Sequence, residues 1–296
     1  MFSLRNKTYP PTECNNKDSS KSILSKETIT YLDNLLRICN EIVKENLISI
    51  LLFGSMVKGG FIKGVSDFDT IVVVDDRVTK NQIINIGQRI SSMMDATSAS
   101  ISEPKYFEGI PKIIMKESGM FVSPFVCRES EFISGDFSKI FHTNPILGKL
   151  LVPSPIVIGS VLKSSMTAFG KNLIPIVKTK DPSPLDILKS LKMNELLILL
   201  SLFYLPFTKN ATKLAMEATK WSVYNASYIL TKDAMSLENS IELLNEAQIA
   251  SSHLEQLKKL RTDYRNNILF ALSSLIAILR IHYFLFERRR DTILVH

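Results

Sequence analysis

The first half of the chain alternates helix-like with strand-like hydrophobic patterns. Between residues 26 and 44, Ile29, Leu32, Leu35, Leu36, Cys39, Ile42 and Val43 recur at three- and four-residue steps, which predicts a helix with one buried face. Ser25, with Glu27 and Thr28 close behind, supplies a start signal. Residues 48–53, apolar but for Ser49, form a short continuous run with the pattern of a buried strand. Gly54 and Ser55 close it. A short helix is predicted after Ser55, ending near Gly59 and Gly60, and a loop over 61–66 follows. Residues 68–74 are mostly β-branched and predict a second strand, ended by Asp75 and Asp76. A helix is predicted over 80–94, with Ile83, Ile84, Ile86, Ile90 and Met93 inward. Residues 95–118 carry no clear period. A third strand is predicted over 120–127, and Pro124 inside it, which cannot donate to a ladder, places it near a sheet edge.

Pro145, Pro153 and Pro155, with Gly159, break the pattern over 140–160. A short helix and the stretch Ala-Phe-Gly-Lys-Asn-Leu over 168–173 lead to a second proline group, Pro175, Pro182 and Pro184. Beyond Gly170 glycine is absent and helical periodicity dominates. Helices are predicted at about 185–204, 208–231, 237–264 (with room for a break) and 267–287. The expected fold class is therefore α+β, with a small mixed-sheet domain over 25–175 and a helical bundle over 184–296. Residues 1–24 are polar and are expected to be a flexible tail.

Two apolar runs, 196–207 and 268–279, raise the question of a membrane. Each falls short of the ~18–20 residues that span a bilayer, so both are predicted as buried bundle helices and no membrane partner is expected. At 45% hydrophobic and 22% charged residues, the 296-residue chain can bury a core, which excludes a disordered protein. Cys14, Cys39 and Cys127 are odd in number and widely spaced, so a disulfide framework is not expected and a reduced, cytoplasmic setting is. The net charge of +7 is uneven: 18 Lys/Arg against 17 Asp/Glu in residues 1–155, 18 against 12 in 156–296. A basic C-terminal half suits a polyanion such as a nucleoside triphosphate or nucleic acid, but on charge alone a plain solvated basic surface is the more ordinary reading.

The chemistry concentrates in residues 51–76. Side chains on a strand alternate, so Asp67 and Asp69 share a face roughly 6.5–7 Å apart, while Phe68 turns toward the core. Two carboxylates so placed repel each other unless a cation lies between them. Hard oxygen ligands at this spacing suit Mg²⁺ bridging protein to phosphate. Gly54 and Ser55 stand where a strand turns into a helix, and the first N–H groups of a helix bind phosphate. Lys58, one turn on, adds a positive charge. The bland alternative is a capped turn beside two exposed strand-end acids.

The pattern G-S, eleven residues, then D-F-D-T, resembles the signature of the DNA polymerase β-like nucleotidyltransferase superfamily. Ser66 matches the serine that commonly precedes the first aspartate, and Lys58 a common basic position. The resemblance implies two Mg²⁺ ions on Asp67 and Asp69, a nucleoside triphosphate held at Gly54, Ser55, Lys58 and Ser66, and attack of a hydroxyl on the α-phosphate with release of pyrophosphate. In the helical part, Lys220, Lys232 and Tyr264 lie in a pattern similar to the C-terminal domain of aminoglycoside adenylyltransferases, where such residues help hold ATP. Lys220 stands in place of the usual arginine. The 168–173 stretch resembles the segment by which those enzymes enter the helical domain.

One departure stands out. The family places a third carboxylate, a metal ligand or general base, on a later strand, and the 120–127 segment has no acid. Glu129, just after it, is the preferred candidate and Glu117, before it, the other. The four histidines show no ligand spacing. These readings together imply adenylyl transfer from ATP to a hydroxyl, in a cleft between two domains, on a small-molecule acceptor of aminoglycoside type. A protein side chain or an RNA 3′ end is the second acceptor class. A nucleotide-binding regulator that has lost its base is the non-enzymatic alternative.

Overall fold

The computed structural model describes residues 26–58, 68–97 and 124–294. They divide into two units, one formed around residues 26–97, 124–142 and 164–178, the other around 143–163 and 179–294.

The first unit is built on a four-stranded sheet in the order β3-β2-β1-β4. Helix α1 (Lys26–Val43) leads into β1 (Leu47–Leu52), which turns through Gly54 into the short α2 (Ser55–Lys58). Then come β2 (Thr70–Val74), α3 (Lys80–Thr97), β3 (Phe125–Arg128), α4 (Glu129–Ile133), α5 (Phe137–Ile140) and, after an excursion into the other unit, β4 (Met166–Gly170). β1 runs antiparallel to β2 and β4, and β2 runs parallel to β3. So β2, β3 and β4 share one direction and β1 opposes them. The C-terminal end of β1 lies with the N-terminal ends of the other three, and that is where the Gly54 turn sits.

β1, β2 and β3 are buried on both faces, which is why they read as apolar runs rather than alternations. On one face Ile50, Leu52, Val72 and Val74 meet Leu32, Leu35 and Cys39 of α1 and Ile83, Ile86 and Ile90 of α3. On the other, Phe125 packs edge-on to Phe141 at 4.6 Å between ring centroids, with Phe132 and Phe137 buried close by in sequence. Two expected core positions point outward instead: Ile29 is 40% and Ile84 46% exposed. Ile84 lies 100° around α3 from Ile83, outside the arc that faces the sheet, and at the start of α1 Thr28 takes the inward place. β3 begins only after Pro124, at a sheet edge as expected. Residues 120–123 of the predicted strand lie outside the described residues. β4, at the opposite edge, was not predicted.

The second unit is helical: α6 (Pro145–Leu151), α7 (Ser154–Lys163), α8 (Pro184–Tyr204), α9 (Thr212–Thr231), α10 (Leu237–Glu246), α11 (Ser251–Thr262) and α12 (Ile268–Leu294). Helices α8, α9 and α12 pack on one another, α7 packs on α9, and α6 on α8. α9 is the central helix. Ala215, Ala218, Thr219, Ser222 and Ala226 are buried along it, and such small side chains let neighbouring helices approach closely. Ser183 caps α8, accepting from the Asp186 N–H while the Asp186 carboxylate accepts from Ser183.

Several of the buried polar groups in this unit are paired in chains. His282 Nδ1 lies 2.9 Å from the Ile278 carbonyl, so it carries the proton, and Nε2 accepts from Ser190 Oγ at 2.9 Å. Asn225 Nδ2 donates to the same Ser190 oxygen at 2.8 Å. His253 contacts Ser273 and Ser274 at 3.1 and 3.2 Å.

The two apolar runs are bundle helices, but they are not wholly buried. Leu199, Phe203 and Phe207 on and just beyond α8 are 57–73% exposed, and α12 shows a comparable outward series. α12 also continues well past the apolar run, so that by length and composition it could cross a membrane. Core helices of soluble bundles meet the same test, and the inward side of α12 packs on α8 and α9.

Candidate active site

The turn from β1 into α2 is shaped by Gly54. Its φ of +73° is left-handed, and a Cβ there would run into Asp69 Oδ2. The carboxylate of Asp69 thus lies directly over the Gly54 backbone. Asp69 stands just before β2, half-buried, and its carbonyl accepts from Phe53 N–H at 3.0 Å, which locks the end of β1 to the start of β2. Gly54 O in turn accepts from the Val57 and Lys58 N–H groups at 3.2 and 3.0 Å. Ser55 opens α2 and Lys58 ends it, both half-buried. The structure therefore brings Gly54, Ser55 and Asp69 together. Ser66 and Asp67 lie outside the described residues.

Behind Asp69 the chain is pinned from the α1 side. The Tyr31 ring stacks on Phe68 with centroids 4.7 Å apart, and its hydroxyl bonds Thr70 Oγ1 at 3.0 Å. Burial pushes the Tyr31 phenol far up, and the Asp69 charge adds to this, so Tyr31 is neutral at any physiological pH. Tyr31 and Thr70 position the residues flanking Asp69. Sequence reading passed over Tyr31, whose signal is a hydroxyl-bearing ring on the inward stripe of α1.

Glu129 does not join this site. Because β2 and β3 are parallel, with Ile71 opposite Phe125 and Val74 opposite Arg128, Asp69 precedes β2 at one end of the sheet and Glu129 follows β3 at the other. Six residues of strand separate the two levels, roughly 20 Å. Glu129 Oε1 instead pairs with Lys171 Nζ at 2.8 Å, just past the C-terminal end of β4. Glu117 lies outside the described residues. Among the described residues no three His, Cys, Asp or Glu side chains gather as a metal cluster. Among the described residues, Asp69 is the one that offers a hard carboxylate oxygen at the turn. That fits Mg²⁺ of the kind that takes one or two carboxylates and completes its shell with phosphate and water.

Of the three helical residues, Lys220 is mid-way along α9 and pairs with Glu217 one turn earlier. Burial pulls its ammonium down, but the Glu217 carboxylate outweighs that, and the net shift is upward. Lys232 ends α9 in a left-handed conformation, exposed, with Nζ 2.9 Å from Asp181 Oδ1. Tyr264 belongs to the other end of α9: its hydroxyl donates to the Lys209 carbonyl at 2.8 Å, and Lys213 Nζ lies 5.0 Å above its ring. A helix rises ~1.5 Å per residue, so Lys220 and Lys232 are about 18 Å apart, and Tyr264 and Lys232 are farther still. The structure does not bring these three together.

Comparison with known proteins agrees with the turn. Residues 32–118 match the family model of the nucleotidyltransferase domain. Residues 32–118 thus carry a nucleotidyltransferase domain, and the chain is an enzyme of that type. Its fold is similar to that of a solved structure, spectinomycin adenyltransferase AAD(9) from Enterococcus faecialis with ATP and spectinomycin, at a TM-score of 0.53 and 14% identity over 87% of this chain and 98% of that one. At that identity the likeness is one of fold, and it extends through the helical part. No curated protein sequence matches the chain.

Proposed function

We propose that the protein is a Mg²⁺-dependent adenylyltransferase that moves AMP from ATP to a hydroxyl of a small-molecule acceptor of aminoglycoside type. The observation that carries this reading is the Asp69 carboxylate seated over the Gly54 turn, within a domain matched by the nucleotidyltransferase family. The AAD(9) structure, of like fold, holds ATP and spectinomycin, which favours both the nucleotide and a small-molecule acceptor.

Asp69, with Asp67, would hold the metal, and two ions are expected at such a pair. When bound, Mg²⁺ supplies Lewis-acid stabilisation of the charge that builds on the α-phosphate and the departing pyrophosphate. Gly54 lets the backbone approach the triphosphate, Ser55 presents the first N–H groups of α2 to it, and Lys58 and Ser66 complete that side. From the helical unit, Lys232 is the residue this reading assigns to the nucleotide, because its ammonium is exposed and its only described partner is an exposed acid. Lys220 and Tyr264 are committed to Glu217 and to the Lys209 carbonyl. A cytoplasmic setting accords with Cys39 and Cys127, both free and buried.

The test is incubation with α-labelled ATP and Mg²⁺ against separate pools of aminoglycosides, cytosolic protein and tRNA. Label is expected in the aminoglycoside pool. Asp69→Asn is expected to cut transfer by at least about 10²-fold, the scale of losing one element of transition-state charge stabilisation, with thermal unfolding unchanged. Equal transfer by Asp69→Asn would remove the metal role. Label in the protein or tRNA pool would replace the acceptor class.

A further inference from the structure

α12 has two apolar faces, and the bundle uses one. Phe270, Ile278, Ile281 and Leu285 point inward and are fully buried. On the opposite side Leu269, Leu272, Ile276, Leu279 and Tyr283 are 74, 49, 56, 43 and 64% exposed. Their spacing is three, four, three, four, the a/d seam with which one helix meets another. A solvent-facing stripe at these positions would ordinarily be polar. The five side chains leave on the order of 500–600 Å² of mostly apolar surface open, already at the upper end of what a monomer exposes in one patch. That is about two-thirds of the ~800 Å² per partner of a standard interface, and Leu199 and Phe203 of α8, which packs against α12, are exposed apolar side chains on the same unit.

We infer that this seam is a homodimer interface, closed by α12 of a second copy of the chain. The arrangement it fits is antiparallel and two-fold, with the axis passing near Ile276. Leu269 then faces the partner's Tyr283, and Leu272 falls near the partner's Leu279, so one patch satisfies itself. A parallel pair would set Arg280 against the partner's Arg280. The antiparallel pair moves those guanidinium groups about 12 Å apart along the axis. A bilayer asks only for apolar area, whereas a narrow three-four stripe is matched by a helix.

Light scattering on the eluting full-length protein tests this. Between about 1 and 100 µM the expected mass is twice the 33.4 kDa of the chain. Leu272→Glu and Ile276→Glu are each expected to yield monomer, with circular dichroism and melting temperature retained because both side chains already face outward. Oxidising Ile276→Cys is expected to cross-link two copies and Leu269→Cys to leave them uncross-linked. Cross-linking through Leu269→Cys would overturn the antiparallel sense. A monomer at every concentration, or a dimer that survives both glutamates, would overturn the interface. A monomer that floats with anionic phospholipid vesicles would assign the seam to lipid instead.

Discussion

At Gly54 the absence of a side chain is occupied space: the Asp69 carboxylate fills it. Phe68, stacked on Tyr31, and Thr70, bonded to the Tyr31 hydroxyl, hold that acid from either side. Glu129 shows the opposite condition, an acid whose partner is a lysine at the far end of the sheet. Glu129→Gln is therefore expected to leave nucleotidyl transfer within about threefold of wild type. It should also cost under ~1 kcal/mol of stability, as for an ion pair whose lysine is largely exposed. Activity assays beside urea unfolding separate the two effects, and a 10²-fold loss would return Glu129 to the site. The two kinds of acid differ in how far the sequence reveals them. The Gly-Ser turn and Asp-x-Asp spacing are local, and local geometry follows from them. The position of Glu129 depends on β3 running parallel to β2, and no periodicity records the direction of a strand.

Among the elements, α9 decides most. Its small buried residues admit neighbours closely, and α7 supplies Gly159, where an added Cβ would overlap the Tyr228 ring and hydroxyl. Gly→Ala within a helix gains about 1 kcal/mol of propensity. Overpacking a fixed ring costs ~1–3 kcal/mol, so Gly159→Ala is expected to be net destabilising by up to about 2 kcal/mol. Urea denaturation measures this. Gly159→Ala combined with Tyr228→Ala should regain the propensity term relative to Tyr228→Ala alone, and a stabilised single variant would mean that the helices part freely. The helices themselves were legible, since 3.6-residue periodicity and the Ser183 and Pro184 start signal are strong. β4 was not. Met166 to Gly170 is a half-exposed edge strand with neither alternation nor an apolar run, and only its pairing with β1 makes it a strand. α12 misled differently: two apolar faces on one helix look, in sequence, like complete burial.

For the molecule as a whole, acid stability rests on two buried imidazoles. Burial pushes His253 and His282 down to about 4. In the unfolded chain both titrate near 6.5, so above that pH neither state is charged there and their contribution is intact. As pH falls from about 6.5 toward 4, the unfolded chain binds protons that the folded one refuses, and stability drops by roughly 3 kcal/mol per histidine. Urea midpoints are expected to be flat between pH 7 and 8 and to fall steeply from 6 to 4.5. His253→Gln with His282→Gln should flatten that fall, whereas an unchanged slope would place the acid sensitivity in other groups.

The interleaving of the two units also has a consequence in time. Ser49 bonds Phe169, 120 residues downstream, and the intervening chain makes α6 and α7 of the other unit on the way. At ~5–20 residues per second of synthesis, β1 waits roughly 6–24 s on the ribosome for β4 to emerge. During that wait one side of β1 presents unpaired backbone groups, the kind of edge that recruits stray strands. A fragment ending before Ser164 never leaves that state, so the sheet-bearing unit is not expected to be cut out as a free-standing piece. Its last strand is delivered only after the helical unit has begun.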